Sequence, residues 1–130
     1  MRKSLKKVLI IDDDEISNFI TKSILDQSNK IKNVDAAMSA DEGLALLKSS
    51  KTLPELILLD IKMPLKSGWD FLDELVVDSS IDNSEITIVM LSSSVYPDDV
   101  HKSKDYKEVS GYLSKPITLK KVDKIFEYYL

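Results

Sequence analysis

The chain has 130 residues, 43% of them apolar and 31% charged, a balance that suits one globular domain and excludes extended disorder or a membrane span. A net charge of −4 argues against nucleic acid as a main partner, because phosphate backbones are held by clustered Lys and Arg. With no cysteine, there is no thiolate metal site, no thiol nucleophile and no need for an oxidising compartment.

Arg2, Lys3, Lys6 and Lys7 resemble the basic start of a secretory leader. The apolar run that follows, residues 8–11, ends in carboxylates and is too short for a leader core of roughly 7 to 15 residues. A cytoplasmic location without a membrane partner is therefore expected. The same run reads as a first strand buried on both faces. Ile16, Phe19, Ile20, Ser23 and Ile24 then fall on one face at spacings of three and four, which predicts a helix.

A weaker strand at residues 34–37 precedes Ser39 and Glu42, spaced as a capping box, with Leu44 and Leu47 facing inward on a second helix. Residues 56–59 give another fully apolar strand, and a loop with Pro64 and Gly68 leads to Phe71, Leu72, Leu75 and Val76 on a third helix. Trp69 should lie near the edge where the strands end, either responding to ligands there or as a partly exposed helix residue. Residues 86–91 form the fourth strand, Pro97 fits the first turn of a polar helix over residues 98–107, and residues 110–113 form a short fifth strand. His101 is expected to be a solvated residue of that helix. Leu119, Val122, Ile125, Phe126 and Tyr129 give a final docked amphipathic helix.

Five βα units in series give a doubly wound parallel sheet, in which ligands bind outside the carboxyl ends of the strands. That edge receives Asp12, Asp13, Asp14 and Glu15 after strand one, Asp60 after strand three, Ser92, Ser93 and Ser94 after strand four, and Lys115 and Pro116 after strand five. Acids capping a helix gain about 0.3 to 1 kcal/mol from its dipole, which accounts for one carboxylate but not for a convergent set. Asp14 fits the cap. Facing carboxylates call for a cation, and hard oxygen ligands at a small open site suit Mg²⁺.

Residues 8–13 (VLIIDD), 58–64 (LLDIKMP) with Gly68, 89–92 (VMLS) and 111–116 (GYLSKP) together resemble the receiver domains of two-component response regulators of the chemotaxis type. The resemblance covers essentially the whole chain. It implies one receiver domain over residues 1–130 without an output domain. The expected fold is α/β, a five-stranded doubly wound parallel sheet of flavodoxin-like (βα)5 type with strand order 2-1-3-4-5. Asp60 resembles the phosphoacceptor, Asp12 and Asp13 the acidic pair that binds Mg²⁺ with it, and Lys62 the residue whose backbone carbonyl completes the metal site. Ser92 takes the switch-hydroxyl position, Lys115 the phosphate-binding lysine and Tyr112 the aromatic that swings inward on activation, with a cis Lys115–Pro116 bond. The implied partners are a histidine kinase or histidine phosphotransfer protein and a protein effector, with the chain a monomer or a phosphorylation-dependent dimer. The resemblance implies self-catalysed modification rather than turnover of a substrate. Lys62 and Ser94 stand where the family tunes loss of the phosphoryl group, and neither offers a carboxylate or amide to orient water, so fast self-hydrolysis is not expected.

Two rival readings remain at this level. Asp12-x-Asp14 also resembles the first-strand motif of haloacid-dehalogenase-type phosphotransferases, although Ile16 replaces the Thr or Val of that motif. A receiver-like interaction module without phosphorylation is the other.

Overall fold

The computed structural model describes residues 3–93 and 97–130. Its elements run β1 (Leu5–Ile11), α1 (Glu15–Gln27), β2 (Ile31–Ala37), α2 (Ala40–Ser49), β3 (Leu56–Leu59), α3 (Gly68–Val77), β4 (Thr87–Ser92), α4 (Pro97–Ser103), β5 (Val109–Ser114) and α5 (Leu119–Tyr128). All strands are parallel, in the order β2-β1-β3-β4-β5. The expected architecture and strand order are both observed.

The three central strands carry apolar residues to both faces, which is why they read as continuous runs. On one face, Leu9, Ile11, Ile57, Leu59, Ile88 and Met90 pack under Leu44 and Leu47 of α2 and Phe71, Leu72 and Leu75 of α3. On the other, Val8, Ile10, Leu56, Leu58, Val89 and Leu91 pack under Leu25 of α1 and Val122, Ile125 and Phe126 of α5. The register places Ile11 beside Leu59, Leu59 beside Met90, and Ser92 beside Ser114, so the strands end together.

Two strands, β2 at the edge and β1 beside it, are longer than their apolar runs suggest. β2 starts at Ile31 rather than 34: at the sheet edge it is held by half-buried Ile31 and Val34 and buried Ala37, and carries Lys32, Asn33 and Asp35 in solvent. β1 starts at Leu5, where buried Leu5 pairs with Ile31 beyond the apolar run. α4 ends at Ser103, short of residue 107: its C-terminal turns give way to a loop that brings Tyr106 onto Trp69. The α2 capping box is half formed, since Ser39 Oγ accepts from Glu42 N at 3.0 Å while Glu42 Oε2 accepts from Met38 N at 3.3 Å instead of from Ser39.

The N-terminal part of the apolar stripe of α1 lies on the side away from the sheet, while Ile24 packs against the core. Ile16 and Phe19 are each 72% exposed and Ile20 is 44% exposed, whereas Asn18, Thr21 and Leu25 form the buried face. Val76 of α3 and Leu119 of α5 are also solvent-facing, so each helix buries a narrower stripe than its apolar spacing marks.

Two glycines are demanded by close approach. A Cβ on Gly111 would enter the ring of Tyr129, which covers β5 from the end of the chain. A Cβ on Gly68 would overlap the carbonyl oxygen of Asp60, while Gly68 N donates to Ile61 O at 2.8 Å. Backbone cannot yield as a side chain does, so Gly68→Ala is expected to cost about 1 to 3 kcal/mol of stability, the usual range for overpacking. A urea melt checks this, and a midpoint equal to that of the wild type would contradict the tight packing of α3 on the Asp60 loop.

Candidate functional site

The edge where the strands end gathers Asp12 after β1, Asp60 after β3, Ser92 at the end of β4 and Lys115 after β5. Backbone bonds fix the first pair: Asp12 N donates to Ala37 O at 3.0 Å and Asp60 N to Ile11 O at 2.9 Å. Asp12 is 3% exposed and Asp60 7% exposed, so both carboxylates are largely out of water, while Asp13 opens outward. One oxygen from each of Asp12, Asp13 and Asp60 lies within 4.8 Å of the others.

Lys115 is the cation among these acids. Its Nζ donates to Asp12 Oδ2 and stands 3.6 Å from Asp60 Oδ1. Its backbone N donates to Ser92 O at 2.8 Å, which ties the end of β5 to the end of β4. The Lys115–Pro116 peptide is cis, as expected.

Asp60 is held at about 6, above the ordinary 3.8. Burial raises it most, Lys115 pulls it back down, and Asp12 and Asp13 push it up again. Three carboxylates against one ammonium leave a formal local charge of about −2, so a divalent cation would neutralise the cluster. The oxygen-only donor set, the short separations and the open side at Asp13 fit Mg²⁺, which keeps several waters and takes few protein ligands.

Asp14 stands apart as the N-cap of α1. Its Oδ1 accepts from Ile16 N at 2.9 Å and Ser17 N at 3.2 Å. Two residues not singled out from sequence hold Asp12: Ser17 Oγ donates to Asp12 Oδ2 at 2.8 Å and Asn18 Nδ2 to Asp12 O at 2.9 Å. Their signal was the polar face at Asn18 and Thr21, in register with Leu25, which the stronger apolar stripe concealed.

Lys62 is exposed in the loop after Asp60. Ser92 is 1% exposed. Ser94 lies outside the described residues. Tyr112 is half-buried against the apolar cluster that includes Met90 and Trp69, next to Met90 in register. His101 is exposed on α4, as expected.

Trp69 is not a partly exposed helix residue. It is 6% exposed, its ring stacks on Tyr106 with centroids 5.1 Å apart, and Lys102 Nζ lies 5.4 Å from its centroid. Gly68 couples it to the Asp60 backbone, so its fluorescence is expected to change on adding Mg²⁺ or acetyl phosphate. A flat titration with both would show that this stack does not sense the edge.

A profile of the response regulator receiver domain matches residues 8–127. The chain belongs to the receiver domain family.

This receiver domain superposes on a two-component response regulator from Cytophaga hutchinsonii with a TM-score of 0.87 and 28% identity, covering 95% of this chain and 96% of that one. A CheY-like receiver domain protein from Methanospirillum hungatei gives 0.76 and 28%, covering 95% and 93%. It is also 36% identical over 87 residues to a protein-glutamate methylesterase/protein-glutamine glutaminase of Treponema denticola, covering 67% of this chain and 22% of that protein. The chain spans about a fifth of the length of the methylesterase relatives it matches. The receiver domain is a two-component phosphoacceptor switch, and the phosphotransferase alternative is not favoured. Receiver domains bind Mg²⁺ through an acidic cluster of the kind seen here. Among the described residues no helix is long and apolar enough to cross a membrane.

Proposed function

We propose that Asp60 is the residue that accepts the phosphoryl group, from a histidine kinase or a histidine phosphotransfer protein, and that the chain signals from a cytoplasmic location by protein contact. The observation that carries this reading is the convergence of Asp60, Asp12, Asp13 and Lys115 at one edge of the sheet.

Asp12, Asp13, Asp60 and the Lys62 carbonyl would hold Mg²⁺, which supplies charge neutralisation and alignment of phosphate oxygens. An Asp60 Oδ forms the new bond to phosphorus as the bond from phosphorus to the donor breaks, its electron pair leaving with the imidazole or acetate. Asp60 must be ionised to attack, and a carboxyl at about 6 is mostly so at neutral pH. Lys115 donates to an oxygen of the transferred group and offsets its charge, and Ser92 donates to another. The chain thereby catalyses its own modification, chiefly by positioning and electrostatics. Intact mass after incubation with acetyl phosphate and Mg²⁺ tests the reading, because a receiver gains one phosphoryl group per chain without turnover.

The exposed stripe of Ile16, Phe19 and Ile20 supports a docking place for the phosphodonor. It flanks a groove of about 170 Å³ lined by Ile16, Ile20, Lys115 and Pro116, so a helix laid there reaches the acceptor edge. Phe19→Asp is expected to cut transfer from a histidine-phosphorylated donor by roughly 10-fold or more, as loss of an aromatic anchor does, with acetyl phosphate labelling unchanged. Equal loss with both donors would place the defect in the chemistry, not in docking.

A further inference from the structure

Lys121 occupies an unfavourable place for a free cation. It lies in the first turn of α5, where the helix dipole is positive, and that turn contains no acid. Its side chain runs back over the helix start, and Nζ donates to Ser114 O at 2.6 Å, Pro116 O at 2.9 Å and Ser114 Oγ at 3.3 Å. An ammonium has three donors, and all three are spent on the residues immediately before and after Lys115. The Lys121 backbone is itself fixed, since its N–H donates to the Thr118 cap at 3.2 Å.

The two carbonyls that Lys121 grips bracket the residue whose side chain reaches Asp12 and Asp60. On the opposite side, Lys115 N is held by Ser92 O at 2.8 Å. The main chain at Lys115 is thus pinned between β4 and α5. Without the grip of Lys121, the segment from Ser114 to Pro116 loses its anchor to α5, and the Lys115 ammonium loses a fixed origin from which to meet a phosphoryl oxygen.

We propose that Lys121 is a positioning residue for phosphoryl transfer, acting through Lys115 by clamping the Ser114 and Pro116 carbonyls. The proposal rests on Asp60 as acceptor and Lys115 as the lysine that meets the transferred group. A surface lysine with a purely solvating role would have no reason to direct every donor into this segment.

The test is the initial rate of phosphorylation by acetyl phosphate with Mg²⁺, followed by intact mass, in wild type, K121M, K121R, K115A and the double variant K115A/K121M. K121M is expected to slow phosphorylation roughly 10-fold, in line with the effect of a small misplacement of a reacting group. K121R, which keeps a charged donor, is expected to recover most of the rate. In the K115A background, K121M is expected to add nothing, because the residue it positions is gone. A purely structural role would instead give a multiplied loss in the double variant, and that result, or a wild-type rate for K121M, overturns the proposal. Should K121M fail to fold, as judged by circular dichroism, K121Q replaces it under the same criteria. No labelling of the wild type, or labelling that persists in D60N, would strike down the acceptor assignment; a wild-type rate for K115A would strike down the role of Lys115. Either is distinguishable from failure of the clamp.

Discussion

Asp60→Asn is expected to abolish the Mg²⁺-dependent gain of a phosphoryl group from acetyl phosphate while making the metal-free protein more stable at neutral pH. The first effect follows from losing the attacking oxygen on a carboxylate that faces both the acidic pair and Lys115. Intact mass reads it directly, and labelling at full stoichiometry in the variant would move the acceptor elsewhere.

The second effect follows from the charge balance. The Asp60 carboxyl titrates at about 6 in the fold against 3.8 ordinarily, so the folded chain binds that proton more tightly than the unfolded chain. Below about 3.8 both states hold it and the difference vanishes. Between 3.8 and about 6 the unfolded chain releases it first, so this group makes stability fall as pH rises, and above 6 the penalty is complete. The gap corresponds to about 3 kcal/mol as an upper figure, at 1.36 kcal/mol for each pH unit. Urea melts of wild type and Asp60→Asn at pH 7.5 without Mg²⁺ should show a gain of that order, shrinking towards pH 4. An equal gain at both pH values would mean that charge at Asp60 is not its source. Mg²⁺ should narrow the gap at pH 7.5, since it favours the ionised carboxylate.

Ser92→Ala is expected to leave phosphorylation in place and to remove most of its consequence. The Ser92 hydroxyl is buried beside the site, and a phosphoryl group on Asp60 would gain charge-assisted hydrogen bonds of about 1.5 to 3 kcal/mol each from Ser92 and Lys115. Together these reach about 3 to 6 kcal/mol, against the roughly 5.5 kcal/mol needed to carry a population from 1:99 to 99:1. Removing one bond therefore costs a factor of about 10 to 150 in coupling. Tyr112 is the proposed receiving element, half-buried against the cluster that holds Met90 and Trp69. Partner affinity or self-association, measured with and without acetyl phosphate, reads the coupling. If Ser92→Ala and Tyr112→Ala both retain the full phosphorylation-dependent change, the route from acceptor to surface runs elsewhere.

The central strands and the convergence of acids at their ends were legible because a strand buried on both faces leaves an unbroken apolar run, and any carboxylate that ends it stands out. Residues 56–59 and Asp60 are the clearest case: the strand boundaries and the buried carboxylate that follows them both come from that contrast. β2 at the edge was under-read for the opposite reason, since polar and charged residues in solvent separate Ile31, Val34 and Ala37.

What the sequence determined by itself was the order of elements, the αβ alternation and the chemical type of the site, because those depend on local periodicity and on which residues end each strand. Tertiary structure alone decided which side of each helix faces the sheet. The apolar stripe of α1 reads as core by spacing, yet Asn18, Thr21 and Leu25 face inward, since Asn18 and Ser17 are needed to hold Asp12 and leave Ile16, Phe19 and Ile20 to solvent. Trp69 belongs to the core and stacks on Tyr106 from the loop after α4, a contact between elements that no local spacing announces. The grip of Lys121 on the Lys115 segment likewise depends on the path of the chain into α5, which places a first-turn ammonium within reach of two carbonyls behind it. Periodicity fixes distances along one element, but these contacts arise where separate elements meet, and that meeting is set by the packing of the whole sheet.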